Sequence, residues 1–218
     1  MSAFRYTRPD NFPPIVKNLI IINVLVFLAQ QLIADKFSLP GAEIYGLTGV
    51  LGLWPIDSFF FRPYQVVTHM FAHGGFAHIF FNMFVLWMFG RVLENVWSGK
   101  RFLIFYFVCG LGAAAAHLAV QYFTHSPILS PAIGASGAIM GVMAAFAYLF
   151  PNTELYIMFI PIPVKAKWAV LGYVAVDLFS GISSLKGDNV AHFAHLGGAI
   201  TGFILVFIWN KTNRRRFY

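Results

Sequence analysis

Ser136 and His195, 59 positions apart, have the side chains of a nucleophile and of the base that activates it. A serine hydroxyl attacks a carbonyl only when a neighbour removes its proton, and histidine is the usual base because its pKa lies near working pH. Neither residue says much alone. Ser136 opens an apolar run that continues through Gly137, Gly141, Ala144 and Ala145. His195 shares a second run with Ala191, Gly198 and Gly202, at spacings that place all four on one helix face. Small residues repeated in this way let membrane helices approach until their backbones touch. Only such closeness brings a side chain as short as serine within reach of an imidazole on a neighbouring helix.

Acyl transfer also needs donors aimed at the oxyanion of a tetrahedral intermediate. His78 and Asn82, four residues apart on one apolar helix, are the candidates, with the backbone N–H of Ser136 as a third at a helix start where amides are free. No acid stands where a third catalytic member is obvious, so the pattern predicts a Ser-His dyad. Asp177 is the one acid deep in an apolar run, and an ionisable group there is a functional hypothesis by default. Its place near one end of that helix suits a capping or gating hydrogen bond. His69 and His73 suit the wall of a cavity or a loop contact, His117, His125 and His192 structural or interfacial roles, and Cys109 core packing. A metal site built from His69, His73 and His78 is a poorer reading, since no HExxH occurs and no carboxylate accompanies them. No metal or other cofactor is expected.

The elements that must hold these groups are membrane helices. Of the 218 residues 59% are hydrophobic and 11% charged, against roughly 45–50% apolar in soluble domains. Apolar runs at 15–33, 76–96, 102–123, 136–150, 166–181 and 190–209 predict six helices, giving an all-α membrane protein. Residues 1–14 and 211–218 read as tails around one membrane domain at 15–210, with no removable signal peptide before the first run. Residues 34–67 read as a long interfacial loop, rich in aromatics and broken by Pro40, Pro55 and Pro63. The net charge of +7 does not indicate nucleic acid, because the cations are scattered among short connections. Twelve of the fifteen Lys and Arg fall on the side of the termini and three on the other, which predicts both termini in the cytoplasm. With the short tails, this suggests a prokaryotic plasma membrane. The fourth run is too short to cross: 14 residues from Ser136 to Leu149 span about 21 Å of a core about 30 Å thick. Ser136 therefore sits below the surface, preceded by non-helical backbone at 131–135, which is tolerated only inside protein or beside water.

Three stretches, in this order, resemble the signature of the rhomboid family of intramembrane serine proteases. They are His69 to His73 continuing to His78-Ile-Phe-Phe-Asn82, then Gly134-Ala135-Ser136-Gly137, then Ala194-His195-Leu-Gly-Gly198 with Gly202. Gly90-Arg91, Glu94 and Ser98-Gly99-Lys100 are similar to the family's turn between its second and third helices. The resemblance implies a six-helix bundle with a short central fourth helix. It also implies Ser136 as nucleophile, His195 as general base, His78 and Asn82 as oxyanion donors, and no cofactor. Gly134, Gly137, Gly198 and Gly202 support the site. Its substrates would be single-pass membrane proteins, cut near the lipid boundary after access between helices two and five, with 181–189 as a movable cap. Two positions depart from the pattern of some members. Met140 stands where an aromatic would stack on the histidine, and Arg62-Pro63-Tyr64 replaces a Trp-Arg pair. The rival within this resemblance is a non-catalytic protein that binds membrane clients, though such relatives typically lack the serine or the histidine. Oligomeric state is not legible.

Overall fold

The computed structural model describes residues 9–33, 46–124, 130–156, 162–183 and 189–212. Residues 1–8 and 213–218 of the tails, His125, residues 34–45 of the interfacial loop and residues 184–188 of the expected cap lie outside the described residues. Each apolar run is a helix: α1 (Pro14–Leu32), α4 (Phe76–Trp97), α5 (Gly99–Thr124), α6 (Ser136–Leu149), α7 (Ala166–Ser183) and α8 (Asn189–Thr212). Among them α1, α4, α5 and the part of α8 from His192 are long and apolar enough to cross a bilayer. Two short helices, α2 (Leu47–Leu51) and α3 (Gln65–Thr68), and a 3₁₀ turn at His69–Phe71 occupy the interfacial segment. A two-residue ribbon, β1 (Glu154–Leu155) against β2 (Val164–Lys165), joins α6 to α7. The third helix starts three residues before its apolar run and takes in Lys100 and Arg101; the Arg101 guanidinium stacks 4.4 Å from the Trp209 ring.

Helix α6 lies at the centre, with Ala138, Val142 and Ala145 fully covered and α5 and α8 packed closest to it. The outward faces of α1 and α7 are apolar and exposed, as at Leu25, Leu28, Trp168, Val176 and Phe179. In water such a rim would be unfavourable, whereas in hydrocarbon it costs nothing.

Helix α1 begins with Pro14 at its first turn, where a missing N–H is no loss. Its next two amides, of Ile15 and Val16, donate to the two oxygens of Glu94 at 2.9 and 2.8 Å. Glu94, which lies near the end of α4, thus bonds backbone of a helix 78 residues away and caps it. Hydrogen bonds to a buried charge are worth about 1.5–3 kcal/mol each, so Glu94→Ala is expected to destabilise the fold by about 2–3 kcal/mol. A thermal-unfolding midpoint equal to that of the wild type in the same detergent would contradict this role.

The interfacial segment is fixed by side-chain amides. Gln30 of α1 accepts the His73 N–H at 2.9 Å and donates to Thr48 Oγ1 at 2.7 Å. Gln65 likewise accepts the Arg62 N–H and donates to the Phe60 carbonyl. Backbone groups that cannot reach water are thereby paired.

Candidate active site

The chain reaches Ser136 through non-helical backbone that needs partners at membrane depth. Ala132 forms a two-bond antiparallel bridge with Leu53, at 2.8 and 2.9 Å, and the Gly134 N–H donates to the His69 carbonyl at 2.9 Å. Gly134 itself has φ +124°, a conformation that side chains rarely adopt. A Cβ there would also lie 2.8 Å from His78 Nε2 and 3.6 Å from Ser136 Oγ. The turn therefore requires glycine twice over, and it presents Ser136 as the first residue of α6.

The distance from α6 to α8 is set by the glycine faces. A methyl group on Gly198 would collide with the Gly137 carbonyl, and one on Gly202 would lie 2.5–2.8 Å from the backbone of Gly141. The same notch takes Cys109 of α5 against Gly141. At this spacing Ser136 Oγ lies 2.7 Å from His195 Nε2, a short hydrogen bond between residues 59 positions apart.

On the other side of the imidazole stands Asp177, carried by α7. Its Oδ2 lies 3.1 Å and its Oδ1 3.3 Å from His195 Nδ1, while His192 Nδ1 lies 2.8 Å from Oδ1. The expectation of a dyad with Asp177 in a capping or gating role thus meets a different arrangement, with the carboxylate on the ring. His192, expected to be structural, shares that carboxylate. The clue was present: an acid in a membrane helix needs a partner, and His192 and His195 lie on one face of the next helix. What spacing could not supply was the register of α7 against α8. The donor atoms of the three residues lie within 4.8 Å of one another, a metal-like cluster, yet each short distance is accounted for as a hydrogen bond.

His78 Nδ1 accepts the Gly74 N–H at 3.4 Å, which leaves the ring proton on Nε2, the atom nearest Gly134. Asn82 is buried, and its Nδ2 donates to the His78 carbonyl of its own helix at 2.9 Å. Of the two expected oxyanion donors, His78 carries its N–H on Nε2, toward Gly134, and the Asn82 Nδ2 keeps a second hydrogen beyond the one it gives to its own helix. His73, outside the spanning helices, packs edge-on against His78 at 5.0 Å, and burial pushes its pKa down to about 4, with the nearby His78 ring adding. It is a neutral wall.

Beneath the hydroxyl lies a cavity of about 80 Å³, lined by small residues such as Ala113, Ala114, Gly137 and Ala194, with His69 and His117 on its wall. That volume accommodates a few waters or a small side chain. His117 joins this wall because α5 and α6 are close enough for Gly137 to rest on Ala113, a contact no local pattern foretells.

With this geometry in view, similarity to known proteins is informative. The rhomboid domain family model matches residues 61–212. Over 183 residues the chain is 28% identical to "Rhomboid protein 1, mitochondrial" of Saccharomyces cerevisiae, covering 76% of this chain and 52% of that protein. It is 31% identical over 156 residues to "Presenilin-associated rhomboid-like protein A, mitochondrial" of Danio rerio, covering 69% and 40%. It is 32% identical over 148 residues to "RHOMBOID-like protein 6, mitochondrial" of Arabidopsis thaliana, covering 67% and 44%. The chain thus spans 40–52% of the length of these relatives. Their names overturn the expectation of a prokaryotic plasma membrane and of a cytoplasm around the termini. Tail length carries no information on compartment, and the Lys and Arg tally tells one face of a membrane from the other, not which membrane it is. The multi-pass membrane character stands, and with the family model covering most of its length, the chain belongs to the rhomboid family.

Proposed function

We propose that this chain is an intramembrane serine endopeptidase that hydrolyses peptide bonds in or near the spanning segments of single-pass membrane proteins. The observation that carries the reading is the 2.7 Å contact of Ser136 Oγ with His195 Nε2 beside a cavity able to hold water. His195 takes the hydroxyl proton as Oγ attacks the substrate carbonyl, then returns it to the leaving amine. The oxyanion forms beside the Ser136 N–H and His78 Nε2, with the second hydrogen of Asn82 Nδ2 as a further donor. Water enters the cavity and hydrolyses the acyl-enzyme by the same base. None of these steps calls for a metal or a cofactor. By analogy with its relatives, a mitochondrial membrane is the proposed location.

An intact substrate helix hides its carbonyls, so the span must unwind before attack. Access between α4 and α7 suits the exposed apolar faces that both helices present, as at Phe80, Phe84 and Trp168. The alternative, a protein that binds membrane clients without cutting them, has no use for a hydroxyl held this close to a base. Purified protein in liposomes is expected to cleave a model span containing helix-weakening residues at least 10-fold faster than a poly-leucine span, since the unwinding cost enters the barrier. A fluorophosphonate is expected to label one site, mapped by peptide mass to Ser136. Equal rates on both spans would refute the unwinding route, and absence of labelling and cleavage would favour client binding.

A further inference from the structure

We infer that Asp177 is a positioning residue that orients the catalytic imidazole, and that His192 holds the Asp177 carboxylate in place for it, so that the reacting unit extends over three helices. The inference rests on the proposed protease reading and deepens it. A carboxylate has acceptors only, so the hydrogen between Asp177 and His195 lies on Nδ1. The Nε2 lone pair then faces Ser136 Oγ, as a general base requires. As the proton moves from Oγ to Nε2 during attack, the ring becomes cationic while its Nδ1–H bond to the carboxylate is retained. The proton stays on the imidazole until it passes to the leaving amine, and Asp177 takes none.

His192 explains why the acid can stay put. A lone carboxylate on a helix swings about its own side-chain bonds. Here Oδ1 is taken by His192 Nδ1 at 2.8 Å and Oδ2 lies nearest His195, so the two rings, nearly perpendicular and 6.4 Å apart, fix the carboxylate between them. The cluster is little exposed, with 13% of the Asp177 side chain and 21% of the His195 side chain open, so water competes only partly for these bonds. His192 and His195 come from one helix and Asp177 from another, which makes the bond a tie between α8 and α7 at the level of the nucleophile.

Asn is the isosteric probe. It has one acceptor oxygen for two Nδ1 groups, and its NH₂ facing His195 would select the tautomer with the proton on Nε2, which cannot accept from Ser136. Asp177→Asn is expected to lower kcat by about 10²-fold while KM changes less than about 3-fold. In Asp177→Asn/His192→Ala the single oxygen is left to His195, and about 10-fold of the loss should return, a rescue that a purely structural role of either residue would not give. Ring ¹⁵N resonances of wild-type protein in detergent, with His195 assigned from a His195→Gln sample, should show the proton on Nδ1. The inference is overturned if Asp177→Asn keeps more than about a third of the wild-type kcat, if removing His192 returns nothing, or if the resting His195 carries its proton on Nε2. The last measurement needs no variant of Asp177 to fold. Were the wild type itself unable to cleave or to be labelled, the protease reading would fail instead.

Discussion

Gly198→Ala is expected to slow cleavage on the order of 10²-fold and to lower the thermal stability of the protein together. The added methyl meets the Gly137 carbonyl, a backbone atom that no side-chain rotation can move aside. Relief requires α8 to retreat from α6, and overpacking of this kind costs about 1–3 kcal/mol, occasionally more. The chemical penalty is larger. A retreat of about 1 Å lengthens the contact between Ser136 and His195 and costs on the order of 10²-fold in rate, even in the fraction that remains folded. Gly172→Ala on α7, where an added methyl meets nothing within 4 Å, is the matched control and should behave as the wild type. Measuring labelling at Ser136 per folded molecule separates the two effects. A Gly198→Ala protein that labels at the wild-type rate would show that backbone contact does not set the distance.

Ser136→Ala and His195→Ala should each lose cleavage by about 10⁴-fold or more, because a nucleophile and its base act as a unit and removal of either ends covalent catalysis. The double variant should be no worse than the single ones, which is the signature of one shared function. Ser136→Ala removes only a half-buried hydroxyl and should fold normally, giving a full-length reference for labelling experiments. Detection of the same fluorophosphonate adduct in Ser136→Ala would place the nucleophile elsewhere.

The helices were legible in the sequence because hydropathy and length are properties of a segment alone. All six runs appear with bounds shifted by at most a few residues, and the non-helical approach to Ser136 followed from the shortness of α6. The glycine faces on α6 and α8 were legible for the same reason, since spacing alone puts small residues on one side of a helix. What could not be read were contacts between elements that neither a small-residue face nor a motif marks. Glu94 binds the amides at the start of α1, Ala132 pairs with Leu53, and Asp177 meets two histidines from α8. Each depends on the rotation and height of one helix against another, which packing decides and no short pattern encodes. The π-helical turn at Leu86–Gly90 in α4 is a further case. Its extra residue per turn shows no sign in the apolar run.

The tie between α7 and α8 has a consequence for how such a machine idles. Acid and base ride on separate rods, and the rod carrying the acid is the one beside which a polypeptide would slip in. Swinging α7 outward by even a fraction of a peptide's width stretches a 3.1 Å contact beyond hydrogen-bonding range, so an open doorway and a fully oriented base exclude each other. Whatever passes the threshold would wait until the wall settles back, and a chain too stiff to let it settle would leave uncut.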